Sequence, residues 1–147
     1  MAKAYTIGHS NRQLDEFIEL LKQYNIKIVV DVRRFPKSTK YPHFNREILE
    51  QELKKHSVKY VWLGDLLGGF RKGGYVNYMS SRDYMEGIGR LMSIIFKYDG
   101  RTAIMCSEKL WFKCHRRFIS DTLVSRGVEI YHIIDRNRVS KHRLKRV

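Results

Sequence analysis

Apolar and polar positions along this chain switch repeatedly between two periods, and the switches mark its elements. "KAYTI" is a short apolar run that reads as a strand. In "SNRQLDEFIELLKQ", Leu14, Phe17, Ile18 and Leu21 recur at helical spacing, and Ser10 with Gln13 fits a capping box. "IKIVVDV" is rich in β-branched residues, as suits a strand buried on both faces. Asn45 then caps a helix carrying Ile48, Leu49 and Leu53, with Phe44 and Leu49 at staple spacing, and "VKYVWL" follows as a third strand. Beyond the glycine-rich loop "GDLLGGFRKGGYVNY", Tyr84, Ile88, Leu91 and Ile95 line one face of a helix. "RTAIMC" is a fourth strand, "CHRRFISDTLVSRG" a helix stopped by Gly127, and "VEIYHI" a fifth strand.

Strands separated by helices predict an α/β fold: one domain over residues 1–135, with about five mainly parallel strands and helices on both faces, in three α/β/α layers. Residues 136–147, "RNRVSKHRLKRV", read as a basic tail. Ligands of such sheets bind beyond the carboxyl ends of the strands. Nearly every unusual polar residue falls there: Gly8-His9-Ser10, Asp31 with Arg33 and Arg34, the glycine-rich loop, Cys106-Ser107-Glu108, and His132 with Asp135. The opposite connections are short and ordinary.

Charge narrows the choice of partner. Lys and Arg outnumber Asp and Glu by 29 to 15, a formal net charge of +14, and a field of that sign attracts polyanions. No apolar run approaches the roughly 20 residues of a membrane span, so no membrane partner is expected and a cytoplasmic location is the default. Two cysteines make no disulfide framework. There is no GxGxxG fingerprint and no Gly-Lys-Ser/Thr phosphate loop, and no cofactor is indicated.

At the predicted rim, "TIGHSN" places His9 and Ser10 at a strand-to-helix turn, where free amides favour an anion or Ser10 simply caps. Asp31 either holds Arg33 or serves as a carboxylate in the site. "RRFPKSTKYPHF" mixes cations, among them Arg34, Lys37 and Lys40, with aromatics, which suits backbone and stacking contacts with nucleic acid. Arg143, Lys145 and Arg146 would add tail contacts. Cys114 lies at a predicted helix start among Lys113, Arg116 and Arg117, where a thiol should ionise easily. Cys106 ends a strand close to Glu108.

Three readings of "TAIMCSEKLWFKCHRRF" stand side by side. A metal would use Cys106, Cys114 and His115, but the spacing is no knuckle and a further ligand must come from His9 or His132. A catalytic site would use Glu108, Cys114 and His115. Alternatively, the cysteines are small buried residues beside an arginine-bearing anion site.

"TIGHSN", "DVRRFPKS", "PHFN", "LGDLLGG", "AIMCSEKLWFKCHR" and "YHI", in this order from Tyr5 to about Ile134, resemble the family known as domain of unknown function 488. The resemblance implies an α/β sandwich with these motifs converging at the strand ends. By matching position, it makes Gly8, His9, Ser10, Asp31, Arg33, Pro36, Ser38, Phe44, Gly68, Gly69, Cys106, Glu108, Cys114, His115 and Arg116 the characteristic residues. It implies no activity.

The resulting expectation is an enzyme-like protein directed at nucleic acid or a phosphorylated nucleotide. His9, Ser10, Asp31, Arg33 and Arg116 would bind ligand, while Glu108, Cys114, His115 and Cys106 supply acid, base or nucleophile. The rivals are a non-catalytic DNA- or RNA-binding module with structural cysteines, and a thiol redox protein, which requires the two cysteines within disulfide reach.

Overall fold

The computed structural model describes residues 2–144, so the predicted contacts Lys145 and Arg146 lie outside the described residues. Six strands form one sheet: β1 (Lys3–Gly8), β2 (Ile28–Asp31), β3 (Lys59–Trp62), β4 (Thr102–Cys106), β5 (Glu129–Asp135) and β6 (Arg138–Lys141). Their spatial order is β3-β2-β4-β1-β5-β6, with the first five parallel and β6 antiparallel to β5. The α/β expectation holds.

Alternation along the strands sends side chains to two cores. One face packs Ile28, Val30, Ile104 and Ile130 against α5 (Arg82–Lys97), α6 (Arg116–Ser125) and the short α3 (Gly64–Leu67). The other packs Ile7, Val29, Met105 and Ile133 against α1 (Leu14–Gln23) and α2 (Arg46–Lys55). The stripe Tyr84, Ile88, Leu91 and Ile95 is fully inward on α5, whose start is fixed by the Ser81 side chain accepting from the Tyr84 amide at 3.1 Å.

Four local expectations fail. Asn45 precedes α2, but its side chain accepts from the Ser38 amide at 2.6 Å instead of capping the helix. Ser10 does not cap α1, which begins at Leu14; it sits at φ +49°, and its amide donates to Ser107 O at 2.9 Å. The glycine-rich stretch contains α3 and another single turn, α4 (Tyr75–Tyr78). The predicted tail contributes β6, whose last residues pair with the middle of β5, so the sheet extends past residue 135.

The helices that follow β1 and β4, two neighbouring strands, leave on opposite faces of the sheet, which opens a crevice at their carboxyl ends. Here the β1–β4 ladder runs on beyond both strands, through His9 N to Cys106 O and Ser10 N to Ser107 O, both at 2.9 Å. This draws the 107–109 turn tightly over Gly8, where a Cβ would lie 1.7 Å from Glu108 O and 2.9 Å from Lys109 Cα. Only a glycine admits that approach.

Gly8→Ala should therefore lower the free energy of urea unfolding by at least about 2 kcal/mol, as a forced overpacking does. Gly89→Ala, on the exposed side of α5 with no atom near its Cβ position, should raise it by about 1 kcal/mol. Equal effects at the two positions would contradict the close approach.

Candidate functional site

Asp31, the last residue of β2, is completely buried and accepts five hydrogen bonds that build one wall of the site. Arg33 Nε reaches Oδ1 and Oδ2 at 2.9 and 3.1 Å, Arg33 Nη2 reaches Oδ2 at 2.7 Å, and the Arg33 amide reaches Oδ1 at 3.0 Å. Tyr60 Oη donates to Oδ2 at 2.5 Å; burial, then the carboxylate, push its phenol well above the ordinary value, so it remains a donor. Trp62 Nε1 donates to Arg33 O at 2.7 Å. A buried pair held this way costs about 3–5 kcal/mol to break from one side. Of the two readings of Asp31, the structure takes the one in which it holds Arg33.

His9 completes that wall. Burial pushes its imidazole down to about 4, so it is neutral near pH 7. Its Nδ1–H donates to Ser10 O at 2.9 Å, its Nε2 accepts from Arg33 Nη1 at 3.3 Å, and its ring stacks on Phe44 with centroids 4.4 Å apart. Neither nitrogen is left for a phosphate, and the His9 and Ser10 amides are spent on the β1–β4 ladder. The anion cradle expected at "TIGHSN" is not formed. Arg33 and His9 position the site; they do not present free charge to it.

The opposite wall comes from the turn after β4 and the start of α6. Cys106 Sγ lies 2.9 Å from Cys114 Sγ; both are free cysteines, Cys106 buried and Cys114 half-buried. The Arg116 amide donates to Cys114 Sγ at 3.2 Å, since α6 begins two residues after Cys114 and its first amides are unpaired. The Arg116 side chain is 1% exposed; Nη2 donates to Glu108 O and Lys109 O at 3.0 and 3.2 Å, and among the described residues Nε and Nη1 have no partner. It is thus the Glu108 carbonyl, not the carboxylate, that engages the arginine.

These contacts split the two thiols. The hydrogen bond from Cys106 holds Cys114 down to about 4 against its burial, helped by His115 and the Arg116 charge. Burial, then the Cys114 contact, push Cys106 up. One proton between the two sulfurs therefore resides on Cys106, and Cys114 is the thiolate. His115 bonds Val32 O through Nε2 at 2.8 Å, which places its other nitrogen against Gly69, where a Cβ would lie 3.2 Å away. A side chain at residue 69 would crowd that ring. Among the described residues no three His, Cys, Asp or Glu side chains are grouped as a metal requires.

Two cavities open on this rim. One, of about 610 Å³, is lined by Cys106, Cys114 and His115 and by Arg34, Lys37, Lys113 and Arg117. The other, of about 970 Å³, is lined by His9, Ser10 and Ser38 and by Lys40, Lys109 and Arg138. Lys37, Ser107, Glu108 and Lys113 border both. Glu108 is exposed between them. Arg143 does not join the site: His142 N pairs with Ile130 O, which puts the following residue at the amino end of the parallel strands.

Of the aromatic mouth of the first cavity, sequence reasoning singled out the loop that carries Phe35 but passed over Phe70 and Phe112. The signal was present in "FRK" and "WFK", where a phenylalanine adjoins a cation in the connections that follow β3 and β4. It also missed a buried chain behind the turn. Thr6 Oγ1 meets His132 Nδ1 at 2.6 Å, His132 Nε2 meets His142 Nδ1 at 2.8 Å, and His142 Nε2 meets Asp121 Oδ1 at 2.6 Å. Trp111 stacks on His132 at 4.5 Å and clamps the turn over it.

Only the thiolate alkylates. Cys114 should therefore react with iodoacetamide at nearly the same rate from about pH 5.5 to about pH 7.5, whereas an ordinary thiol of pKa about 8.5 would accelerate about a hundredfold. Peptide mapping should place the label on Cys114 with Cys106 unmodified; a rate climbing through the ordinary thiol range would contradict the assignment.

Comparison with curated proteins returned no match, and comparison with solved structures returned none. A family model instead matches residues 13–123, a stretch that holds β2, β3 and β4, the Cys106–Cys114 pair and Arg116, and the chain belongs to the family described as domain of unknown function DUF488.

Proposed function

We propose that the protein is an enzyme acting on nucleic acid or a phosphorylated nucleotide, with Cys114 as its nucleophile. The observation that carries this reading is the Cys114 sulfur, 2.9 Å from the Cys106 sulfur and 3.2 Å from the Arg116 amide, on the wall of a cavity ringed by Arg34, Lys37, Lys113 and Arg117. A cation-ringed cavity draws in phosphate, and a thiolate there attacks an electrophilic carbon or phosphorus. Either N-glycosidic or phosphodiester cleavage suits the set. Cys106 retains the proton beside the attacking sulfur, and Glu108, exposed on the turn between the cavities, is placed to accept the proton of the water that releases a covalent adduct.

The Sγ separation favours a second reading, a dithiol redox protein. Oxidation of the thiol–thiolate pair to a Cys106–Cys114 disulfide removes two electrons and the one shared proton and requires an external disulfide or peroxide as acceptor. The low thiol at the cavity wall would be the attacking sulfur and the buried one the resolving sulfur.

Cys114→Ser separates the readings. On the enzyme reading, oligonucleotide affinity is retained in the variant and falls steeply with salt, while product formation and any covalent adduct seen by intact mass disappear. Absent or salt-insensitive binding by the wild-type protein would overturn it. Rapid intramolecular disulfide formation with oxidised glutathione, without nucleic-acid binding, would favour the redox reading.

A further inference from the structure

Phe70 is 84% exposed, yet its backbone sits at φ +59°, a region that suits glycine and strains a bulky residue. The fold gains nothing from this ring: it is not buried, and a glycine would fit its backbone better. Its immediate neighbours hold it in place all the same. Arg34 Nη1 donates to Phe70 O, the Phe35 ring lies 6.0 Å from the Phe70 ring, and the Arg34 guanidinium lies 5.6 Å from the Phe35 ring. Phe35 is itself 64% exposed, and Phe112, 48% exposed, lines the same cavity. Three solvent-facing phenyl rings around one cavity mouth are costly in water unless something covers them.

The surroundings specify the cover. Arg34, Lys37, Lys113 and Arg117 line the same cavity as the rings, which suits flat apolar groups joined by anionic links. The second cavity continues the track. It shares Lys37 and Lys113 with the first, and adds Lys40, Lys109 and Arg138 beside the hydroxyls of Ser38 and Thr39 but none of the three phenylalanines. The first cavity is thus aromatic and cationic, and the second polar and cationic.

We infer that the substrate is single-stranded nucleic acid, or a strand with an unpaired nucleotide: one base stacks among Phe35, Phe70 and Phe112 beside Cys114, and the adjoining phosphates run past Lys113 and Lys37 into the second cavity. A base paired within a duplex hides its faces in the stack and cannot offer one to the rings. The inference rests on the nucleic-acid reading above and narrows it to unpaired strands.

Fluorescence anisotropy with a labelled single-stranded oligonucleotide and with the same sequence as a duplex tests it, in the Cys114→Ser background so that no turnover intervenes. The single strand should bind at least about tenfold more tightly than the duplex. Phe70→Ala and Phe35→Ala should each weaken single-strand binding about 5- to 150-fold and leave duplex binding unchanged. Both rings are exposed, so the fold should survive; Phe96→Ala, on another exposed ring, in α5 and outside both cavities, is the control and should change nothing. Lys40→Glu with Arg138→Glu should weaken an oligonucleotide long enough to fill both cavities and spare a mononucleotide.

Equal affinity for single strand and duplex, unmoved by the phenylalanine variants, would overturn the clamp while leaving the nucleic-acid reading in place. Salt-insensitive or absent binding of both forms would remove both. Equal competition by an acidic peptide would show that the rings cover a protein ligand instead, and would overturn the inference.

Discussion

The site is organised around a guanidinium buried where bulk water cannot stabilise it. Arg116 enters beneath the turn that follows β4 and spends Nη2 on the carbonyls of Glu108 and Lys109. It thereby folds that turn back so that Cys106, leaving the sheet, meets Cys114, approaching the helix, at 2.9 Å. A cation in so poor a solvent strongly favours a nearby anion. The hydrogen bond from Cys106 does most to lower the Cys114 thiol, and the neighbouring His115 and the Arg116 charge add to it. Turn geometry and thiolate chemistry therefore have one origin.

The rest of the rim keeps this arrangement rigid. The central β1–β4 pairing continues through His9 and Ser10 and presses the turn onto Gly8. From the other side, the Asp31–Arg33 pair fixes the exit of β2 and hands Arg33 Nη1 to a neutral His9. Two carbonyls extend the scaffold, Val32 O holding His115 and Arg33 O holding Trp62. The charge of the Asp31–Arg33 wall is thus paired internally, while the cations that face the cavities, Arg34, Lys37, Lys113 and Arg117, stand outside the sheet on the connections and at the start of α6. Such a division lets a stiff frame carry a surface that can meet a polyanion.

Much of the fold was legible because it is written in local patterns. β2 and β4 are continuous buried runs, and α5 shows an uninterrupted stripe. β6 was not, because "RVSK" is a short, mostly exposed edge strand with no inward face to mark it, and its place is set by pairing with β5. The same segment hides His142, which becomes buried only because His132 and Asp121 meet it from distant parts of the chain. Ser10 matched a capping signature, yet the ladder to Ser107 claimed its backbone. At the site, residue types and the correct sheet edge could be read; the pairing of Cys106 with Cys114 could not, since it depends on a buried arginine folding the turn between them.

The account stands most directly on the charge of one sulfur. Thiolate absorbance in the ultraviolet, followed against pH as the difference between the wild-type protein and Cys114→Ser, measures it without any assumption about substrate. The difference signal should already be at its plateau near neutral pH and decline only as the pH approaches about 4. A signal that appears only on raising the pH through the ordinary thiol range, about 8.5, would show that Cys114 is a neutral thiol and would contradict the account.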